Sequence, residues 1–135
     1  MSSPHDIRNP DTLAPAIGYS HIVIPAKGRT VYFGGMAPQD IEGKPTGGSF
    51  VEQFDVALGN LAHALEAAGA RPEHLVSMQI YVKDRQAYRD SLEEIGQSWK
   101  KHLGKNYPCN ALFEVTGFYD EEAMLEIMAI AVIPD

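Results

Sequence analysis

Met124-Leu125-Glu126-Ile127-Met128-Ala129-Ile130-Ala131-Val132-Ile133 is an apolar run broken by a single charge. Read as a β-strand, it places Leu125, Ile127 and Ala129 on one face and Met124, Met128 and Ile130 on the other, because successive side chains alternate. Both faces are apolar, so a sheet built on this strand needs a cover on each side. Glu126 is the exception. A carboxylate withdrawn from water costs several kcal/mol unless it is paired, so its position asks for a partner or a chemical task.

The rest of the chain supplies one cover. Ser49 with Glu52 three residues on forms a capping box. Phe50, Phe54, Leu58, Leu61, Leu65 and Ala68 then recur at helical spacing until Gly69. A second stripe, Tyr88, Leu92, Ile95, Trp99 and Leu103, predicts a helix over roughly 85–103, stopped by Gly104. Leu75 to Val82 alternates as a strand, with Val76, Met78, Ile80 and Val82 on one side. His21-Ile22-Val23-Ile24 and Thr30-Val31-Tyr32-Phe33 flank Pro25-Ala26-Lys27-Gly28-Arg29, a hairpin signal. Residues 1–18, rich in Pro, Ser, Asn and Asp, read as an extended arm. Cys109 to Thr116 forms a strand expected to pair antiparallel with the last one across Gly117 to Ala123. The order ββαβαββ, in one domain over 1–135, predicts an α+β sandwich: a mixed sheet with two helices on one face. No helix remains for the other face. Self-association is its simplest cover.

Composition narrows the function. At 135 residues, with 44% hydrophobic and 21% charged residues, the chain has an ordinary globular make-up. A single cysteine excludes an intramolecular disulfide framework and a cysteine-rich zinc site, which favours a reducing, cytoplasmic setting. The five histidines are dispersed without ligand spacing, so no metal and no cofactor is expected. The net charge of −7 and the scattered Lys and Arg speak against nucleic acid. No basic-then-apolar leader opens the chain, so no signal peptide is expected. No apolar stretch approaches the roughly 20 residues of a membrane span.

Several motifs, in order, resemble the Rid (reactive intermediate deaminase, or YjgF) superfamily over about residues 13–133. Ala14-Pro15-Ala16-Ile17-Gly18-Tyr19-Ser20 resembles its Ala-Ile-Gly-Pro-Tyr-Ser, and Val31 to Pro38 its Ser-Gly-Gln-Ile-Pro turn. Leu61 to Gly69 and Ile80-Tyr81-Val82-Lys83-Asp84 resemble its first helix and third strand. Pro108-Cys109-Asn110-Ala111 stands where the family has Pro-Ala-Arg-Ser, and Leu125 to Val132 where it has Val-Glu-Ile-Glu-Ala-Ile-Ala. The resemblance implies a chorismate-mutase-like fold and a homotrimer with a small-molecule cleft at each subunit interface. It also implies hydrolysis of an imine or enamine to a ketone and ammonia, with an arginine gripping the substrate carboxylate. Tyr19 and Glu126 match the family's tyrosine and glutamate. Asn110 stands in place of the arginine, Gly34 of the turn serine and Met128 of a second glutamate.

The expected site follows from these positions. Glu126 is the candidate proton-transfer group and Tyr19 its catalytic companion. Asn110, expected to face Glu126 across the neighbouring strand, can orient a carbonyl, amide or water but cannot fork onto a carboxylate. Gly34 and Gly35 offer backbone N–H groups to an oxyanion or water, or form a bend that needs glycine. Phe33 is a candidate aromatic wall, with Phe113, Phe118 and Tyr119 as further aromatics. Cys109 and Ala111 flank Asn110 as candidate cleft residues. Cys109 points to the opposite face of its strand and reads as a reactive thiolate or a small buried hydrophobe. His21 reads as a packing histidine or a base. Two functions remain open: a cofactor-free deaminase or related hydrolase of a small unsaturated amine, and a non-catalytic trimer that binds a small metabolite.

Overall fold

The computed structural model describes residues 2–135. Strands β1 (Asp6–Arg8) and β2 (Ile22–Ile24) open the chain, followed by β3 (Gly28–Met36) and helix α1 (Phe50–Ala67). Strand β4 (Leu75–Val82) leads into the short helix α2 (Arg85–Asp90) and α3 (Leu92–Leu103); β5 (Cys109–Glu114) and β6 (Leu125–Pro134) complete it. Four strands form one mixed sheet in the order β3-β6-β4-β5, and β1 pairs with β2 apart from it. The helices cover one face, so the α+β architecture is the one expected.

Strand β6 is central because it is apolar on both faces. Leu125, Ile127, Ala129 and Ala131 are buried against Phe54, Leu58, Leu61 and Leu65 of α1 and Met78, Ile80 and Val82 of β4. The other face has no cover within the chain. Glu126, Met128 and Ile130 lie there with Tyr81 of β4, Phe113 of β5 and Tyr32 of β3, as the register shows. Tyr32 is 76% exposed, and Tyr81 and Phe113 stack on each other at 5.5 Å.

Three expectations about pairing are corrected. β5 and β6 are not neighbours: β4 lies between them, antiparallel to β6 and parallel to β5. β5, exposed along Ala111 to Glu114, suits an edge, and the α2–α3 crossover supplies the long connection a parallel pair requires. β2 makes no hairpin with β3 but pairs with β1, so part of the arm over 1–18 is a strand. The His5 ring anchors it. Nε2 donates to the His74 carbonyl at 2.9 Å, and Nδ1 accepts from Ala26 N–H at 3.0 Å. The predicted second helix is broken at Ser91, so three helices form where two were expected, and Leu92 is 59% exposed rather than core.

Local signals hold where they are chemical. Ser49 Oγ accepts from Glu52 N–H and Glu52 Oε1 accepts from Ser49 N–H, both at 3.1 Å, which caps α1. One turn later, buried Gln53 ties α1 to the segment before β6. Its Nε2 donates to the carbonyls of Gly47 and Glu122, and its Oε1 accepts from Met124 N–H at 2.8 Å. On the outer side, Asp55 accepts from Ser98 Oγ at 2.8 Å, His102 Nε2 at 3.0 Å and Lys101 Nζ at 3.0 Å, joining α1 to α3. Partial burial pushes the Asp55 carboxyl up, but these hydrogen bonds outweigh it and hold it below its ordinary value.

Replacing Gln53 with Ala strands two carbonyls and an amide, so urea unfolding should show a loss of about 3 kcal/mol. The Asp55 clamp is intact above the carboxyl's unfolded value and is lost as pH falls through the depressed folded one. Asp55→Asn should therefore flatten the acid limb of a stability–pH curve below about pH 4, by under about 1 kcal/mol given the exposed partners.

Candidate functional site

The candidate residues fall into two groups. The first lines a cleft of about 900 Å³ between α2–α3, the free edge of β5 and the segment before β2. Tyr19, Asn110 and Ala111 all line it. Ser20 holds the segment in place: its Oγ donates to the Tyr107 carbonyl at 2.6 Å, and its N–H to that of Pro108 at 3.1 Å. His21 is a packing residue here. Its ring meets Tyr19 edge-on at 5.3 Å, and its Nε2–H donates to the Ala14 carbonyl at 2.6 Å.

The cleft wall is apolar and aromatic. Trp99 and Tyr107 stack at 6.0 Å, and Trp99 Nε1–H donates to the Asn106 carbonyl at 2.9 Å. Ile17, Tyr88, Leu92 and Ile95 complete it, and burial raises the Tyr88 phenol above its ordinary value, keeping it neutral. Sequence reasoning assigned Tyr88, Leu92, Ile95 and Trp99 to a core stripe and missed this wall. Ile95, Trp99 and Leu103 are buried in the core as read, and Ile95 and Trp99 also line the cleft; only Leu92, 59% exposed, lies outside the core.

The second group sits across the sheet. Between Phe33 and Met36 of β3 the register with β6 slips by one residue, a bulge at Gly34-Gly35. The Glu126 carboxylate rests in the space this leaves. A Cβ placed on Gly35 would lie 2.7 Å from Glu126 Cδ and 2.9 Å from Oε2, whereas one on Gly34 would meet nothing within 4 Å. Glu126 is half-buried, and among the described residues its carboxylate makes no hydrogen bond or ion pair.

Asn110 does not face Glu126. It pairs with Met78, which pairs with Ala129, so Asn110 lies on the helix face; Glu126 pairs with Tyr81 on the uncovered one. Two strand spacings and three residues separate them, about 14 Å between α-carbons at standard sheet dimensions. The inserted β4 is the cause. Phe33 also leaves the expected site: it is 8% exposed and packs in the core beside Ala129. Cys109 points to the uncovered face and donates weakly to the His21 carbonyl at 3.6 Å. No group of three His, Cys, Asp or Glu residues among those described could hold a metal ion, and no described helix is long and apolar enough to cross a membrane.

The sequence profile of the endoribonuclease L-PSP family matches residues 9–133. No curated protein matches the chain. Among solved structures, a Rid-family protein of unknown function from Yersinia pestis, YyfB, is 28% identical. It superposes with a TM-score of 0.86 over 96% of this chain and 98% of its own. Rv2704 of Mycobacterium tuberculosis, from the YjgF/YER057c/UK114 family, is 29% identical with a TM-score of 0.64, covering 87% and 88%. RidA from the Antarctic bacterium Psychrobacter is 25% identical with a TM-score of 0.66, covering 89% and 92%.

The Gly35 contact gives a way to move Glu126 without removing it. In crystal structures, Gly35→Ala should keep the sheet and swing the Glu126 side chain out of the bulge by rotation about its χ angles, while Gly34→Ala should leave it in place. A displaced backbone with Glu126 unmoved would contradict this packing.

Proposed function

The chain belongs to the endoribonuclease L-PSP family of the Rid/YjgF superfamily, and from that membership we propose that it hydrolyses a small enamine, imine or other unsaturated amine, without a cofactor, in a cleft completed by a second copy. One observation carries the reading: Glu126 is a half-buried carboxylate with no partner among the described residues, set beside a glycine bulge on an apolar sheet face. An unpaired carboxylate there is costly for stability alone. It suits a group that takes and returns a proton.

Glu126 and Asn110 lie too far apart, and on opposite faces, to reach one small molecule within a single chain. The sheet's two outermost strands are β3, which carries the Gly34-Gly35 bulge, and β5, which carries Asn110 and Ala111 and is bridged by Ser20 at Cys109. Unpaired edges and an uncovered apolar face both invite association. A closed ring of copies, β3 edge to β5 edge, would bring Glu126 of one chain toward Tyr19 and Asn110 of the next, and the family resemblance makes that ring a trimer.

In such a cleft, Glu126 takes a proton from water as the water oxygen bonds to the carbon of a protonated imine, giving a carbinolamine. Glu126 then returns that proton to the nitrogen, and as the C–N bond breaks the hydroxyl proton passes to Glu126, releasing ammonia and leaving the carbonyl product. Gly34 and Gly35 amides and the Tyr19 hydroxyl supply donors to the developing charge. A ribonuclease role is disfavoured by the net charge of −7 and by the absence of any Lys or Arg lining the Tyr19–Asn110 cleft.

Ammonia release from oxidase-generated imines and from neutral unsaturated amines should fall about 10²- to 10⁴-fold in Glu126→Gln; release that survives the substitution would sink the mechanism. If nothing turns over and a small molecule still binds stoichiometrically, the protein is the non-catalytic binder. Sedimentation should give three chain masses for the wild type and smaller species for Tyr32→Lys. A monomeric wild type would contradict the shared cleft.

A further inference from the structure

We infer that the ligand of the Tyr19–Asn110 cleft is flat and bears no negative charge, with a carboxamide, lactam or ureide edge that pairs with the Asn110 amide. The inference rests on the small-molecule reading above and names the class of molecule that fits. Two observations carry it. Within one chain none of the residues lining this cleft is Asp, Glu, Lys, Arg or His, and the second copy brings only a carboxylate, Glu126, toward it. Its polar side chains are Asn9, Ser20, Asn110 and the phenols of Tyr19, Tyr88 and Tyr107; Ser20 already donates to the Tyr107 carbonyl, and Asn9 already accepts from His21 N–H.

The second observation is Asn110 itself. Its Oδ1 is buried with no hydrogen-bond partner, the only such side-chain atom among the described residues, and its Nδ2 donates to none of them. A buried acceptor left unpaired costs on the order of 1–3 kcal/mol. Buried polar atoms that stay unpaired call for an explanation, and an absent ligand is one. The carboxamide carries an acceptor and a two-proton donor in one plane. Asn110 lines the cleft, and rotation about Cβ–Cγ would bring the covered Oδ1 out to it beside the amide protons. Their complement is another amide edge, one N–H and one C=O side by side.

Charge excludes the alternative. A carboxylate seated there would lose its hydration and find neither a cation nor a fork of charged donors, a loss neutral groups do not offset. The walls choose the body of the ligand. Ile17 and Leu92 present exposed apolar side chains at the rim, and the stacked Trp99 and Tyr107 form a flat aromatic surface. At about 900 Å³ the cleft falls in the range of small-molecule sites. A planar unsaturated amide fills it better than a short amino-acid skeleton.

Benzamide and benzoate test this directly, because they share a shape and differ in charge and in the amide edge. Titrated by NMR into the full-length assembly, benzamide should bind once per chain and at least about tenfold tighter than benzoate, since only the anion leaves an uncompensated charge. Asn110→Leu should weaken benzamide about tenfold or more, and Asn110→Arg should reverse the preference. Leu92→Lys puts a cation at an exposed rim position, where folding is not at risk, and should raise benzoate affinity alone. Equal or tighter wild-type binding of benzoate, no binding of either, or benzamide binding indifferent to Asn110→Leu would each overturn the inference. If the Asn110 variants do not fold, the wild-type preference and the Leu92→Lys response decide it. The readout is binding, so it fails separately from the catalytic reading. A lost benzamide preference with Glu126-dependent ammonia release refutes the ligand class alone, whereas an intact preference with Glu126-independent release refutes the mechanism alone.

Discussion

Strand β6 is apolar on both faces and has strands on both sides, and most of the molecule follows from accommodating it. Its helix-facing residues, Leu125, Ile127, Ala129 and Ala131, are nearly or wholly buried. That burial places α1 and α3 on one face and leaves Tyr32, Tyr81, Phe113, Met128 and Ile130 facing away from any cover in the chain. Hydrophobic surface on this scale stabilises only when it is removed from water. The same strand places Glu126 on the uncovered face, beside the one bulge in its ladder with β3. Stability of the sheet and placement of the carboxylate are thus two consequences of one strand's position.

The central position of β6 also separates the polar groups that carry chemistry. By entering between β3 and β4 it sends the bulge to one edge, and β4 sends Asn110 to the other. A site that uses both edges is left incomplete by a single chain. This division gives different jobs to the two halves. The β3–β6 half holds a carboxylate and backbone amides, suited to moving protons and stabilising charge as it develops. The β5 half is a neutral, aromatic-walled cleft with one unpaired amide, suited to holding a ligand. On the function proposed above, recognition and chemistry sit on different strands, and Asn110, in place of the arginine the family resemblance calls for, belongs to recognition.

Legibility in the sequence tracked the range of the interactions. The capping box of Ser49 and Glu52, the α1 stripe and its end before Gly69 are local chemistry, and they appear where they were read. Strand existence was plain from alternation too, except for β1, which lies within the arm read over 1–18. Strand neighbours were not, because pairing is set by non-local burial: a hairpin signal at 25–29 competed with the pull of β6 on β3, and lost. Gly28 marks the outcome, since a Cβ there would lie 2.0 Å from the Ile133 carbonyl oxygen. The error passed on to the site. With β5 and β6 taken as neighbours, Asn110 seemed to face Glu126; with β4 between them, the two fall on opposite faces. Tyr19 and Asn110 came together as expected, Gly35 and Glu126 touch, and Phe33 was lost to the core. The aromatic wall was hidden because Ile95 and Trp99 serve the core and the cleft at once, and a helical stripe shows only the first.

Subunit complementation tests the split site most directly. Glu126→Gln and Asn110→Leu chains, each impaired alone, are co-expressed and purified as mixed assemblies. If each cleft takes Glu126 from one copy and Asn110 from the next, random mixing leaves about a quarter of the interfaces with both native residues, and ammonia release recovers in proportion. Mixed assemblies no more active than the separate variants would place both residues' action within single chains and contradict the account.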